Sequence, residues 1–116
     1  MSALQVEEKQ DVLRVYLTDT KIMDEARIRE IGNELMEKAD EAAATESKNM
    51  LLNFQGVSFM SSAMIGKLVM LNKRAKHNQV NLKFCRISPN LLEVFKVTRL
   101  NRVFDIDDDA WPEHGE

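Results

Sequence analysis

Leu4 and Val6 alternate with Gln5 and Glu7, and after a polar stretch from Glu8 to Asp11 the alternation resumes at Leu13, Val15 and Leu17. A period of two puts apolar side chains on one face of an extended chain, so two such runs joined by polar residues predict an antiparallel hairpin. Thr18 to Met23 breaks the pattern. Asp24 is a residue type that caps helices, and the apolar positions after it, Ile28, Ile31, Leu35, Ala39 and Ala42, keep helical spacing, which predicts a helix ending near Ala44.

Met50 to Phe54 is a short apolar run of the kind that forms a central strand covered on both faces, and Gln55-Gly56 punctuates its end. A second helix is expected from about Ser62, because Met64, Leu68, Leu71 and Ala75 share a face with Ile65 and Val69 beside it. Lys73, Arg74, Lys76 and His77 crowd its last turn, where positive charge complements the helix dipole, and Asn78 suits a left-handed cap. Val80, Leu82 and Phe84 alternate as a further strand. Ser88-Pro89 then supplies an N-cap and a first-turn proline, Ile87 is placed to staple onto Leu92, and a third helix runs to about Lys96. Thr98 to Asn101 reads as a turn before a last short strand at Arg102 to Ile106.

This order of elements predicts an α/β fold, a mixed sheet of four or five strands flanked by three main helices. Right-handed crossovers put at least the second and third helices on the same side. The expected core includes Leu52, Phe54, Ile65, Leu68, Val69, Leu82, Phe84, Leu92 and Phe95. Residues 1–106 are expected to form the single domain, and 107–116 a loose acidic tail.

A chain of 116 residues with 44% hydrophobic and 30% charged residues suits one globular domain. The longest uncharged stretch, Asn49 to Gly66, contains too many polar residues for a membrane span, and no apolar signal region follows Met1. The expectation is a soluble, cytoplasmic protein with no direct membrane insertion. One cysteine, Cys85, excludes an intramolecular disulfide framework. The net charge of −3 and the dispersed lysines and arginines argue against nucleic acid as a partner.

Catalysis needs convergent groups, and the chain offers few. His77 at a helix end and His114 near the terminus read as surface histidines, and Cys85 as a small buried apolar side chain. Gly56 and Gly66 stand without the Gly-Lys-Ser/Thr of a phosphate loop, and Asp107 to Asp109 lack the glycine and distal glutamate of a calcium loop. Met36 and Met70 read as core filler. The expectation is a binding protein, not an enzyme, with no metal and no cofactor.

One stretch is more specific. Asn53-Phe54-Gln55-Gly56-Val57-Ser58-Phe59-Met60-Ser61-Ser62-Ala63-Met64-Ile65-Gly66 is a buried strand, a turn and two serines at a helix start. It resembles the STAS domain family, in which Gly-Val-x-Phe-Met/Ile leads to Asp-Ser-Ser-Gly and an apolar helix. The resemblance extends over about residues 4–106, including Ile87-Ser88-Pro89 with Leu92 and Phe95 and the Thr98-Arg99-Leu100 turn. It points to the anti-sigma-factor antagonist type, a phosphoprotein of signal transduction and transcription regulation. In that type the first serine of Asp-Ser-Ser-Gly accepts phosphate, and the unmodified form binds the anti-sigma factor, a serine-protein kinase. By position Ser62 takes the acceptor place, with Ser61 the fallback. Ser61 stands in the aspartate place, Ala63 replaces the second serine, Met64 the glycine, and Asn53 a common aspartate.

A phosphate at a helix N-terminus meets unpaired N–H donors and the positive end of the dipole, and brings about −1.5 to −2 charge into an uncharged loop. The partner surface is expected to centre on Ser58, Met60, Ser61, Ser62 and Met64, with Asp24 either lining the same site or only capping its helix. The resemblance also admits an alternative, a non-phosphorylated accessory subunit of a membrane transporter or a stressosome-like scaffold.

Overall fold

The computed structural model describes residues 3–111. Strands β1 (Leu4–Lys9) and β2 (Val12–Leu17) form the expected hairpin, with Leu4 opposite Leu17 and Lys9 opposite Val12. Gln10 and Asp11 both have positive φ, 56° and 63°, which lets the tight turn follow the twist of the strands. A two-residue strand β3 (Lys21–Ile22) lies in the stretch where the alternation breaks. Helix α1 (Glu25–Ala43) follows, with Asp24 as N-cap and Ala44 as C-cap.

Strand β4 (Asn49–Asn53) lies between β2 and β6 (Asn81–Cys85), parallel to both. The sheet order is β1-β2-β4-β6, mixed because only β1 is antiparallel. The two-residue strand β5 (Phe59–Met60) pairs with β3 in a separate small sheet. Helices α2 (Ser62–His77) and α3 (Pro89–Val97) complete the main elements. The inward rows of the sheet, Leu13, Val15, Met50, Leu52, Leu82 and Phe84, join one core with Ile28, Ile31, Leu35, Leu68, Leu71, Leu91 and Phe95 of the helices. The phenyl rings of Phe54 and Phe84 are 5.1 Å apart in it.

Several local expectations need correction. Asn78 caps α2 with φ −95°, and it is Gln79 that adopts the left-handed conformation, φ 61°. Val80 N–H donates to Ala75 C=O at 2.7 Å and Gln79 N–H to Lys76 C=O at 3.1 Å, so the left-handed position of this Schellman closure falls one residue later than expected. In α3 it is Leu91, not Leu92, that enters the core with Phe95, four residues on. Ile65, Val69 and Leu92 are half-buried. Met36 packs on the core, but Met70 is 53% exposed on α2.

The last strand is absent as a strand. Arg99, at φ 65°, closes α3 and turns the chain into a short 3-10 turn, Leu100–Arg102, so the backbone groups of Val103 and Phe104 bond back to Leu100. Only Ile106 bridges to Phe84 at the edge of β6. Phe104 is pinned instead by ring contacts with Phe84 at 4.8 Å and Phe95 at 5.3 Å. Beyond it, Asp107–Trp111 lies against the sheet, and Pro112–Glu116, with His114, falls outside the described residues.

Candidate functional site

Parallel strands followed by helices bring the helix N-termini to one end of the sheet, where unpaired N–H groups and the dipoles gather. Each of the three helices has a side-chain cap there: Asp24 for α1, Ser61 for α2 and Ser88 for α3. Asp24 Oδ2 accepts from Arg27 N–H at 2.9 Å, Ser61 Oγ from Met64 N–H at a long 3.4 Å, and Ser88 Oγ from Leu91 N–H at 3.2 Å.

The serine loop is built stepwise from the end of β4. Asn53 is buried, and its Oδ1 accepts from Gln55 N–H at 2.8 Å, which turns the chain out of the sheet. Gly56 adopts φ 96°, a conformation costly for any residue with a Cβ, and Val57 N–H closes the turn on Phe54 C=O at 2.9 Å. The loop is then fastened to the segment before α1. Ser58 donates through both its N–H (2.8 Å) and its hydroxyl (3.2 Å) to Thr20 C=O, and Ser61 N–H donates to Ile22 C=O at 3.0 Å. Ile22 pairs with Met60, so Asp24 and Ser62 each stand two residues beyond the same pair, at the openings of α1 and α2.

Arg27 and Asp19 fix the approach to that pairing. The guanidinium meets Asp19 through two bonds, 2.7 and 2.9 Å, and reaches Glu30 at 3.2 Å. Hydrogen bonding to Arg27 holds the Asp19 carboxyl below its usual range, and the same bond pushes the guanidinium further up. The clamp ties the β2–β3 connection to the first turn of α1.

The expected site residues divide into two groups. Ser58 and Ser62 are exposed, Ser61 is half-buried at the cap, and Asp24 is exposed with its carboxylate on a backbone N–H. Met60 and Met64, expected at a partner surface, are core side chains, 4% and 0% exposed. In a two-residue strand successive side chains point to opposite faces, so the burial of Met60 against the sheet turns Phe59 outward, 47% exposed. Phe59 is what the sequence reading missed as a surface group. With Ser58, Asn90, Leu91, Val94 and the otherwise buried Met60 it lines an apolar groove of about 280 Å³ between the loop and α3. Among the described residues no three His, Cys, Asp or Glu side chains gather to hold a metal ion, and no helix is long and apolar enough to cross a membrane.

A family model of the STAS domain matches residues 3–110. The chain belongs to the STAS domain family. Solved STAS-type structures share its fold at low identity. An anti-sigma-factor antagonist (STAS) domain protein from Planctomyces limnophilus is 23% identical, with 89% of this chain and 87% of that one covered and a TM-score of 0.73. The anti-sigma factor antagonist SpoIIAA in its unphosphorylated form is 17% identical over 92% of this chain and 90% of that one, TM-score 0.69. The Bacillus cell fate determinant SpoIIAA in its phosphorylated form is 16% identical over 92% and 93%, TM-score 0.62. At such identities the likeness is one of fold, and it extends to the mixed four-stranded sheet, the helices and the small two-stranded sheet of this STAS domain.

Proposed function

We propose that this STAS domain is a regulatory binding module of the anti-sigma-factor antagonist type, which docks an anti-sigma factor with serine-kinase activity at the end of the sheet where α1, α2 and α3 begin. The observation that carries the reading is the Ser58–Ser62 loop: an exposed Ser62 at the first position of α2, beside an exposed Phe59, on a backbone held by four bonds to Thr20 and Ile22. A surface fixed in advance loses little entropy on binding. Phe59 and Val94 supply apolar area, Ser58 and Ser62 a polar rim, and Asp24 a charge at the edge.

In the switch, the kinase moves the γ-phosphoryl group of ATP to the Ser62 hydroxyl oxygen, with loss of its proton and release of ADP. The phosphate brings about −1.5 to −2 charge to a docking surface that is otherwise uncharged along the loop. It shares that end with the Asp24 carboxylate, and the combined negative charge disfavours an apolar or acidic partner face. SpoIIAA, which shares this fold, has been solved in phosphorylated and unphosphorylated forms, so a domain of this shape can carry a phosphate. The test is incubation with the cognate kinase and ATP followed by mass spectrometry, with binding of Ser62→Ala and Ser62→Asp measured by calorimetry. Phosphate on Ser62, near-normal binding by Ser62→Ala and weakened binding by Ser62→Asp are expected. An active cognate kinase that modifies neither Ser62 nor Ser61 would sink the switch, and the non-phosphorylated scaffold or transporter-subunit reading would replace it.

A further inference from the structure

The sheet face turned away from the helices is built differently from the core. Arg14, Leu51 and Lys83 form one row across β2, β4 and β6, since Arg14 pairs with Leu51 and Leu51 with Lys83. Leu51 also packs with Val12 and Cys85 in a small cluster separate from the helical core, and Trp111 is the apolar side chain packed on that cluster. Arg14, at 0% exposure, is the largest fully buried side chain. Its Nη1 donates to Trp111 C=O at 2.7 Å, and its Nη2 reaches Gln10 Oε1 at 3.4 Å. Lys83 Nζ lies 5.7 Å from the centroid of the Trp111 ring, within cation–π range.

The segment that delivers Trp111 has its own local construction. Asp107 N–H donates to Phe84 C=O at 2.9 Å, and Asp108 Oδ1 accepts from Arg86 N–H at 2.7 Å. Between these anchors the chain bonds to itself: Asp109 N–H to Asp107 Oδ1 at 3.0 Å and Ala110 N–H to Asp107 C=O at 3.3 Å. Trp111 itself sits at φ 47°, a conformation disfavoured for a residue with a Cβ. Residues 107–111 touch β2, β4, β6 and Arg86, whereas Phe104 and Ile106, just before this segment, pack on the helical core. A segment with few buried apolar contacts, surface hydrogen bonds and one strained residue belongs to the low-stability end of a fold.

We infer that Asp107–Trp111 is a strap that opens as a unit while the rest of the domain stays folded, and that its opening uncovers the Arg14 guanidinium and the Cys85 thiol on the helix-free face. This device is independent of the Ser62 end and does not rest on the proposed function. Cys85, the sole cysteine of the chain, reports on it directly. Labelling of the full chain by an aromatic disulfide reagent at fixed pH is expected to proceed at a rate that low urea leaves unchanged, as for a local opening. Trp111→Ala should raise that rate about tenfold or more with far-ultraviolet circular dichroism intact, Trp111→Phe should restore most of the protection, and Lys83→Gln should raise it about threefold. Should Trp111→Ala fail to fold, Lys83→Gln and Trp111→Phe decide the matter in its place. A labelling rate that climbs with urea along the global unfolding transition, or variants that label no faster than their lost global stability dictates, would show that the strap is part of the cooperative core and overturn the inference.

Discussion

Replacing Met64 by alanine separates the two roles a methionine beside the serine pair can have. Met64 is the third residue of α2 and has no exposed surface, and it shares the core with Phe54, Leu68 and Phe95. Truncation removes the thioether and terminal methyl from a space closed by the sheet on one side and helices on the other, so the cavity cannot collapse fully. Buried Met→Ala changes of this kind cost about 2–5 kcal/mol, and about 3 kcal/mol is expected here. With a urea dependence of roughly 1.5 kcal/mol per molar for a small domain, the unfolding midpoint should fall by about 2 M. The melting temperature should fall by about 10–15 °C.

Phe59, on the outward side of β5 in the same loop, is the control. It is half-exposed, so Phe59→Ala should cost less than about 1 kcal/mol of stability while weakening the partner complex by about 1–2 kcal/mol, as for an anchor at an apolar groove. Urea titration by circular dichroism gives the first quantity and calorimetry on the folded proteins the second. If Met64→Ala kept its midpoint and lost the partner, while Phe59→Ala did neither, the loop would present its methionines outward and the assignment of faces above would be refuted.

Three further expectations follow from other parts of the fold. Asp19→Asn should destabilise by about 1 kcal/mol at neutral pH, a value limited by the partial exposure of the pair. Because the folded carboxyl titrates below its usual value, that contribution is fully present above about pH 4 and fades as pH falls through the lower folded value, so wild type and Asp19→Asn should converge in urea midpoint in strong acid. Ser61→Ala should cost about 0.5–1 kcal/mol by thermal unfolding, at the low end for an N-cap because its bond to Met64 N–H is long. Gln79→Gly should stabilise by up to about 1 kcal/mol, since glycine adopts φ 61° without the steric penalty of a Cβ.

Long periodic segments were legible because one face of each must meet the core: Ile28 to Ala42 announces α1, and Leu82 with Phe84 announces β6. What escaped were elements whose partners lie far along the chain. Lys21–Ile22 carries no periodicity of its own and is a strand only because Phe59–Met60 lies beside it. Phe104, Asp105 and Ile106 do alternate, but the left-handed Arg99 turns the residues before them into a 3-10 turn, and an Asp107 side chain that bonds Asp109 N–H ends the edge after one bridge. Arg14 looks from the sequence like the polar outward position of an alternating strand, yet it is buried, and Trp111, 97 residues on, comes back to accept one of its bonds.

The serine loop was legible as chemistry and illegible as orientation, and the reason is the length of β5. In a strand of two residues the choice of which side chain faces inward is made by the register with Lys21–Ile22, and shifting it by one would exchange Phe59 and Met60. That register is held by the bonds of Ser58 to Thr20 and of Ser61 to Ile22, which in turn depend on where the Asp19–Arg27 clamp sets the β2–β3 connection. The outward Phe59 and the exposed Ser62 are therefore properties of a segment nearly forty residues upstream as much as of the motif itself. It follows that loosening the clamp should blunt recognition at the loop even though neither Asp19 nor Arg27 belongs to the proposed contact surface. Arg27→Ala should retain its helices by circular dichroism and lose partner affinity about threefold to tenfold, an effect of about 0.7–1.4 kcal/mol on the scale of a lost positioning contact. Unchanged affinity in a folded Arg27→Ala protein would mean that Ser58 and Ser61 hold the register unaided.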